Sequence, residues 1–363
     1  MTSIYIHYPF CQSKCFYCDF NSYCFQVDDD ILLDAYKSEL EFYGNLLKDK
    51  QIKTIYFGGG TPSLMSFKLI EIIFTTIHKI CSVSKNCEIT LETNPNSIDL
   101  SRLQFYKKMG INRISLGVQS LNDDVLRFLG RIHNKKQILE NVNNIQNLFD
   151  NYSIDLIYSY QGQTLKGWET ELKEAIKISP YHLSAYQLII ESGTYFKRHK
   201  IKTLDDDLSI ELYNFTNDFL SDNGIDFYEI SNYARNGYES KHNLVYWDSG
   251  EWVGIGAGAH GRFHLNDKRY AIQNNKDPLI WCKKVKQNGN GVSIKKKLTD
   301  EEIREEKILM GLRTIFGIKD YRKLKLKNLE ILQKEGLILL DKNNLKLSRK
   351  GFLVLNSIVN TVI

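Results

Sequence analysis

Three cysteines lie close together near the start of the chain, in the segment Cys11-x-x-x-Cys15-x-x-Cys18. Thiolates at these intervals on one short loop can each bind one iron of a [4Fe–4S] cube, which leaves the fourth iron without a protein ligand. A structural zinc site is the alternative, but it normally takes four ligands in closely spaced pairs, and Cys24 does not form such a pair. The spacing therefore favours a cluster whose open iron can bind a substrate.

Four further segments combine glycines or polar side chains at the ends of β-type runs. Glycines lack a Cβ, so the backbone of the Gly58-Gly59-Gly60 segment can approach a charged ligand closely, although a tight turn would use the same residues. A carboxylate, an amide or a guanidinium at a strand end is equally compatible with a capping or surface role. The glycine segment offers Gly59, Gly60 and Thr61 as candidate ligand-binding residues, and the end of the next strand offers Glu92.

The elements that must position these residues alternate regularly between strands and helices. The hydrophobic pattern predicts strands at 3–8, 52–57, 88–92, 113–116, 154–158 and 182–188, with helices at 31–47, 66–80, 100–109, 137–149 and 168–178. Six consecutive βα units predict an α/β fold with a parallel sheet and helices outside it, either doubly wound or an incomplete barrel. Ligands bind at the carboxyl ends of strands in such folds, so we expect a single site there.

The last third of the chain differs from the rest in its composition and in the order of its predicted elements. Residues 226–297 are rich in aromatics and glycine, and we treat them as a linking region after a first domain at 1–225. A capping box from Thr299 to Glu302 starts a helix, and short helices near 321 and 328–334 precede strands at 336–340 and 345–347. This order predicts a small winged-helix-like domain at 298–363. The stretch Lys283–Lys350, which begins before this domain, is strongly basic. Solvated lysine faces explain this charge more simply than nucleic acid, which we do not expect as a partner.

Length and composition exclude several classes of protein. The chain has 363 residues, of which 42% are hydrophobic and only 5 are proline, so it is neither disordered nor collagenous. It contains no apolar run of eighteen residues, and its first residues do not form a signal peptide. We therefore expect a cytoplasmic protein, for which weak membrane association stays open. We expect it to be a monomer or a homodimer.

The cysteine motif directly after the first strand of a βα repeat resembles the radical S-adenosylmethionine (SAM) superfamily. In that superfamily the open iron binds the amino and carboxylate groups of SAM, and an electron from the cluster cleaves the sulfonium to a 5′-deoxyadenosyl radical. The resemblance implies a partial (β/α)6 barrel as the fold of the first domain, in which Cys11, Cys15 and Cys18 hold the [4Fe–4S] cluster. By position it also implies that the SAM site is lined by Tyr5, Tyr17, Gly59, Gly60, Thr61, Glu92, Gln119, Arg131 and Asp155.

The residues around the cysteines narrow the resemblance. Two segments are similar to the oxygen-independent coproporphyrinogen III oxidase group, and specifically to its heme-chaperone branch, HemW. They are Tyr5-Ile6-His7-Tyr8-Pro9-Phe10-Cys11 and Cys18-Asp19-Phe20. The oxidase carries a further cysteine where this chain has Phe20. The resemblance therefore implies heme binding and delivery, with oxidative decarboxylation of porphyrinogen propionates as the alternative. The sequence does not decide whether the chain is an enzyme or which residues would be catalytic.

The segment His242-Asn243-Leu244-Val245-Tyr246-Trp247 is similar to the stretch implicated in heme contact in that family. Neutral imidazole is a common axial ligand of heme iron, so His242 is the candidate heme ligand and His260 the next. The resemblance further implies two partners: a heme-requiring client protein and a reductant or electron donor for the cluster.

Overall fold

The computed structural model describes residues 2–179 and 181–363. Its strands are β1 (Thr2–Tyr8), β2 (Gln51–Gly59), β3 (Ser82–Thr93), β4 (Arg113–Gln119), β5 (Tyr152–Tyr158), β6 (His182–Gln187), β7 (Asp226–Glu229), β8 (Asn232–Ala234), β9 (Glu251–Ile255), β10 (His260–Leu265), β11 (Lys268–Asn274), β12 (Val292–Lys297), β13 (Ile318–Lys319), β14 (Ile338–Leu340) and β15 (Asn344–Leu347).

Helices connect these strands, mostly in the order that the sequence predicts. They are α1 (Asp29–Phe42), α2 (Gly44–Leu47), α3 (Phe67–Ile80), α4 (Leu100–Lys108), α5 (Asp123–Phe128), α6 (Lys135–Leu148), α7 (Leu165–Ile178), α8 (Tyr195–Arg198), α9 (Asp206–Asp222), α10 (Lys241–Trp247), α11 (Pro278–Asn288), α12 (Asp300–Gly311), α13 (Leu329–Lys334), α14 (Arg349–Leu353) and α15 (Leu355–Val362). Within the described residues, no helix is long and apolar enough to cross a membrane.

The six predicted βα units form the centre of one large sheet. Strands β1 to β6 lie side by side in chain order, each parallel to the next. This order is not that of a doubly wound sheet, whose strand order reverses at a switch point. The sheet continues through β9 to β12 beyond β1 and through β8 and β7 beyond β6. In the described part of the chain no hydrogen-bonded pair joins its two outer strands, so the expected barrel is not closed by hydrogen bonds.

The six central strands alternate between apolar and polar side chains, and this alternation gives the sheet two different faces. Residues such as Ile4, Phe57 and Leu116 are fully buried in the main core together with residues of the surrounding helices. The residues between them are polar and bond to one another across neighbouring strands, as Thr54 Oγ1 does to Ser3 Oγ at 2.7 Å. Successive side chains on a strand point to opposite faces, so the inner face of the sheet is a polar wall below the strand ends.

The segment 226–297, which the sequence analysis treated as a linking region, contributes strands β7 to β12 to the main sheet. One buried carboxylate joins this segment to α1. Glu39 accepts hydrogen bonds from the backbone N–H groups of Gly256 and Gly291 and from the side chains of Asn274 and Trp281. Burial raises the pKa of Glu39 to about 7, although these four donors favour its ionised form.

Residues 298–363 form a second, smaller core of their own, which includes Ile308, Leu345 and Ile358. The predicted pair of strands is present as the antiparallel β14 and β15, and a third strand, β13, pairs with β15. The capping box at the start of α12 is present as predicted. This part is attached to the main sheet through Glu306, whose carboxylate accepts from both Arg262 and Arg269.

Candidate cluster and cofactor site

The carboxyl ends of the central strands surround a cavity of about 380 Å³. All but three of the residues that the sequence analysis assigned to cofactors line it. They are Cys11, Cys15, Tyr17, Cys18, Gly59, Gly60, Thr61, Glu92, Gln119, Arg131 and Asp155. The structure thus brings together residues that are up to 144 positions apart in the sequence. The three that do not line the cavity are Tyr5, His242 and His260.

The cysteine loop is attached to the rest of the fold at its middle as well as at its ends. The backbone N–H of Phe16 donates to the carbonyl of Leu129 at 3.1 Å, and the N–H of Phe196 donates to the carbonyl of Phe16 at 3.0 Å. The ring of Phe16 lies directly over Gly130, whose φ is +74° and where a Cβ would come within 2.8 Å of the ring. Gly130 therefore provides both a left-handed backbone and the space in which the loop is seated.

Two of the three thiols receive hydrogen bonds from residues that follow other strands. Arg131 Nη1 donates to Cys15 Sγ at 3.1 Å, and Thr61 Oγ1 donates to Cys11 Sγ at 3.4 Å. Asn94 connects the two donors, because it accepts from Arg131 Nη2 at 2.5 Å and donates to Thr61 Oγ1 at 3.0 Å. The sequence analysis did not select Asn94, although its place directly after the strand that carries Glu92 was a signal.

The donor set suits a cluster better than a single metal ion. Within residues 2–179 and 181–363, no three His, Cys, Asp or Glu side chains converge as the ligands of one ion do. A [4Fe–4S] cube needs no such convergence, because each thiolate binds a different iron. Burial raises the pKa of Cys18 to about 11 and also raises that of Cys11, so positive iron would have to displace the thiol protons. Three partly exposed thiols on one cavity wall, two of them already accepting hydrogen bonds, fit this group.

Glu92 forms part of the acidic wall of the cavity. Its carboxylate accepts from the hydroxyl of Tyr56 at 2.8 Å and from the backbone N–H of Gly59 at 3.1 Å. Burial raises the pKa of Glu92 to about 7, and the nearby charge of Asp155 acts in the same direction.

The glycine segment has no room for a side chain, since a Cβ at Gly60 would lie 2.6 Å from the carbonyl oxygen of Phe10.

Gln119 and Asp155 complete the site on the next two strands. Gln119 has a φ of +69° at the end of β4, which directs the chain over the cavity. Asp155 accepts from Ser115 Oγ at 3.3 Å. Burial raises the pKa of Asp155, whereas hydrogen bonds and nearby guanidinium groups lower it.

Tyr5 and His242 lie behind the cavity wall rather than in it. The hydroxyl of Tyr5 forms a 3.0 Å hydrogen bond with Nδ1 of His7. His242 is fully buried, and its ring nitrogens are bonded to Thr54 Oγ1 at 2.6 Å and to the hydroxyl of Tyr246 at 2.8 Å. Burial lowers the pKa of His242 to about 3. In this arrangement neither ring nitrogen is free to bind iron, so heme coordination by His242 stays a prediction that requires the ring to leave both partners.

The mouth of the cavity is apolar and exposed. Phe20, Ile132 and Ile189 all line it and are 61%, 53% and 65% exposed. Three large apolar side chains at the opening of one cavity form an unusual surface for a folded chain. The sequence analysis identified only Phe20, because Ile132 and Ile189 are in loops that carry no motif of their own.

The cavity at the ends of six parallel strands, with three cysteines on the loop after β1, is the arrangement of the radical SAM superfamily, whose family model matches residues 5–175. Within the superfamily, the chain is 40% identical over 268 residues to the protein called heme chaperone HemW of Haemophilus influenzae, a match that covers 72% of this chain and 70% of that protein. It therefore belongs to the family of HemW and of Radical S-adenosyl methionine domain-containing protein 1, and the resemblance stated from its sequence is confirmed.

A second relative supports the assignment over nearly the whole chain, and a solved structure has the same fold. The Radical S-adenosyl methionine domain-containing protein 1, mitochondrial, of Danio rerio is 33% identical over 99% of this chain and 86% of its own length. The structure of coproporphyrinogen III oxidase (HemN) from Escherichia coli superposes with a TM-score of 0.85 over 99% of this chain and 89% of that one. The identity to that oxidase is 23%, so this likeness concerns the fold alone.

Proposed function

We propose that this protein is a heme chaperone, which binds a [4Fe–4S] cluster, SAM and heme and delivers the heme to a client protein. The observation that carries the proposal is Phe20 at the cavity mouth. In the oxidase this position is a cysteine, and here it is an exposed phenylalanine beside Ile132 and Ile189. A planar apolar ligand such as a porphyrin would cover these side chains, and burial of apolar area is favourable by about 25 cal/mol per Å². The bacterial relatives, which are named heme chaperone HemW, support the same function.

Cys11, Cys15 and Cys18 would hold the cluster, and superfamily membership implies both this cluster and SAM. When bound, the cluster would supply an electron for cleavage of the sulfonium of SAM. Arg131 and Thr61 would hold two of the thiolates in place, since charge-assisted hydrogen bonds favour the deprotonated sulfur.

The remaining cavity residues suit the charges of SAM. SAM carries a sulfonium and an ammonium against one carboxylate, so a cavity with acidic walls would favour it. Glu92 and Asp155 would provide these acidic groups, while the glycine segment leaves backbone groups free to approach the ligand. Tyr17, Gln119 and the hydroxyl of Thr61 would add polar contacts along the same walls.

The alternative function is that of the oxidase, which would act on the propionates of coproporphyrinogen III. The two functions are separated by one anaerobic experiment on cluster-reconstituted protein supplied with SAM, a reductant and coproporphyrinogen III. We expect no protoporphyrinogen IX by mass spectrometry, and we expect the same preparation to bind heme in a spectroscopic titration. Product at many turnovers would instead make the protein an oxidase. A preparation with an intact cluster that neither forms product nor binds heme would overturn both functions.

The client protein and the electron donor belong to this proposal, which identifies neither. The cytoplasmic location, the weak membrane association and the monomeric or homodimeric state expected from the sequence also stay predictions.

A further inference from the structure

Arg113 is a buried cation below the cavity floor. It lies at the first position of β4 and is 2% exposed. Its Nη2 donates to Ser153 Oγ at 3.1 Å, whereas its Nε is buried and has no hydrogen-bond partner. Among the residues that the structure describes, none forms an ion pair with it. A buried charge without a direct counter-ion is unfavourable unless nearby polar or acidic groups offset it, so the groups around Arg113 are the ones that its charge affects.

A short relay of hydroxyl groups connects Arg113 to the cavity wall. Ser153 Oγ accepts from Arg113 and donates to Ser115 Oγ at 3.2 Å, and Ser115 Oγ donates in turn to Asp155 Oδ2 at 3.3 Å. Each group in this relay donates its hydrogen toward Asp155. The last group, Ser115, therefore needs a hydrogen-bond acceptor, and an ionised Asp155 carboxylate accepts at both of its oxygens.

The field of Arg113 also acts on both acidic groups of the cavity. Burial raises the pKa of Asp155, and a hydrogen bond from Ser184 and the positive charge of Arg113 each act in the opposite direction. Arg113 has the same lowering effect on the pKa of Glu92, where burial again dominates. A cation placed behind two buried carboxylates therefore favours the ionised form of each.

We propose that Arg113 is a positioning residue for SAM, which through Ser153 and Ser115 keeps Asp155 ionised and oriented toward the cavity. This inference rests on the proposed function, because SAM is the ligand that the acidic wall would receive. Ionised Asp155 would accept hydrogen bonds from the ligand and offset its net positive charge.

Other titratable or charged groups face this part of the interior from the neighbouring elements. They are Tyr56 on β2, Glu92 on β3, Arg131 after α5, His182 and Tyr186 on β6, and Tyr228 and Glu229 on β7. Burial raises the pKa of the three tyrosines and lowers that of His182, so these groups stay neutral near pH 7. Burial raises the pKa of Glu92 and of Glu229 to about 7, so these two carboxyl groups titrate in the working range and must be distinguished from Asp155.

The test is SAM affinity as a function of pH, measured by equilibrium dialysis on reconstituted protein with the cluster oxidised so that SAM stays intact. We expect Arg113→Met to weaken SAM binding about tenfold at pH 7, with much of the loss recovered at higher pH as Asp155 ionises. Arg113→Lys keeps the charge and should restore most of the affinity. Ser153→Ala, which interrupts the relay but keeps the guanidinium, should shift the profile in the same direction by a smaller amount.

Two controls separate this effect from a general loss of structure. Arg102→Met removes another guanidinium, one that donates to the carbonyls of Ser63 and Met65 outside the cavity, and should leave the profile unchanged. Glu229→Gln should also leave it unchanged. Carbon-13 NMR titration of the Asp155 carboxyl in cluster-free protein gives a second readout, and we expect a higher pKa in Arg113→Met than in the unmodified chain.

Unchanged affinity and pH dependence in folded Arg113→Met and Ser153→Ala would overturn the inference while leaving the proposed function intact. If the unmodified chain with an intact cluster does not bind SAM, the proposed function itself fails, and the inference fails with it.

Discussion

The guanidinium of Arg131 donates a 3.1 Å hydrogen bond to the sulfur of Cys15, although 116 positions separate the two residues in the chain. The other amino group of the same side chain bonds to Asn94, which leads through Thr61 to the sulfur of Cys11. Residues after β2, β3 and β4 are therefore joined in one hydrogen-bonded chain that starts and ends on a cysteine. The cysteine loop depends on the rest of the sheet for the environment of its sulfurs.

The first prediction concerns this environment. Arg131→Met should make the reduction potential of a reconstituted cluster more negative, because N–H···S hydrogen bonds and nearby positive charge stabilise the reduced state. Spectroelectrochemical titration measures the shift. Arg127→Met is a suitable control, because Arg127 is exposed and pairs with Asp124 on the surface of α5. Equal potentials in the Arg131 variant and the unmodified chain would show that this contact has no effect on the cluster.

The second prediction concerns the cluster ligands. Exchange of Cys11, Cys15 or Cys18 for alanine should abolish the cluster, because the iron that the exchanged cysteine binds would lose its only protein ligand. Iron and sulfide content after anaerobic reconstitution, together with visible absorbance, measures the result. Cys24→Ala tests a thiol that is exposed and does not line the cavity, and it should retain a full cluster. A full cluster in any of the first three variants would contradict the ligand assignment.

The third prediction concerns the seat of the cysteine loop. Gly130→Ala should destabilise the protein by about 1–3 kcal/mol, because its Cβ would collide with the ring of Phe16 and its backbone is left-handed. Gly162→Ala is the matched control, since Gly162 has a φ of +84° but open space around it, and it should cost about 1 kcal/mol or less. Urea denaturation compares the two. The prediction fails if both variants lose the same stability.

The fourth prediction concerns His242. His242→Ala should lower the free energy of unfolding by about 2–4 kcal/mol, because it removes a buried ring and leaves the hydroxyls of Thr54 and Tyr246 without that partner. Urea denaturation without heme measures this loss. A heme titration of the folded variant tests the ligand role: lost heme stoichiometry at full folding would assign iron coordination to His242, and an unchanged titration would remove it from the heme site.

The fifth prediction concerns the apolar mouth. Phe20→Ser and Ile189→Ser should each weaken heme binding about tenfold or more, because each removes a large apolar contact worth about 1.5–3 kcal/mol when covered. The absorbance change on heme titration provides the measurement. Leu279→Ser is the control, because Leu279 is 58% exposed on α11 and does not line the cavity. If the control weakens heme binding as much as the two variants, the mouth is not the porphyrin contact.

Much of the centre of this fold could be predicted because the residues there obey simple periodicities. In β4 and β5 the apolar residues Ile114 and Ile154 pack outward, and the polar residues between them face inward, so strand positions were visible. The strand ends then placed the candidate residues in one cavity. Among the missed strands of 226–297, β7 and β8 have only 4 and 3 residues, too few to show an alternation. In β9 a glycine interrupts the pattern at Gly254, where a Cβ would lie 2.0 Å from the carbonyl oxygen of His260.

The burial of His242 could not be predicted from the same reasoning. A histidine in a polar and aromatic segment gives no sign of whether its ring faces a ligand or a threonine on a strand far back in the sequence. That distinction depends on how α10 packs against β2, a contact between residues 188 positions apart. Asn94 was missed for a similar reason, since its two partners, Thr61 and Arg131, belong to loops after other strands.

The pairing of β9 with β1 has a consequence for how the chain is made. β1 is synthesised shortly before its neighbour β2, but its other neighbour is not synthesised until residues 251–255. Until then β1 is an open edge, and an unpaired edge is where nascent chains associate wrongly. The loop that follows β1 carries all three candidate cluster ligands, Cys11, Cys15 and Cys18. A chain interrupted before β9 would thus expose these cysteines on an incomplete sheet. We therefore expect assembly of the cluster to follow completion of translation.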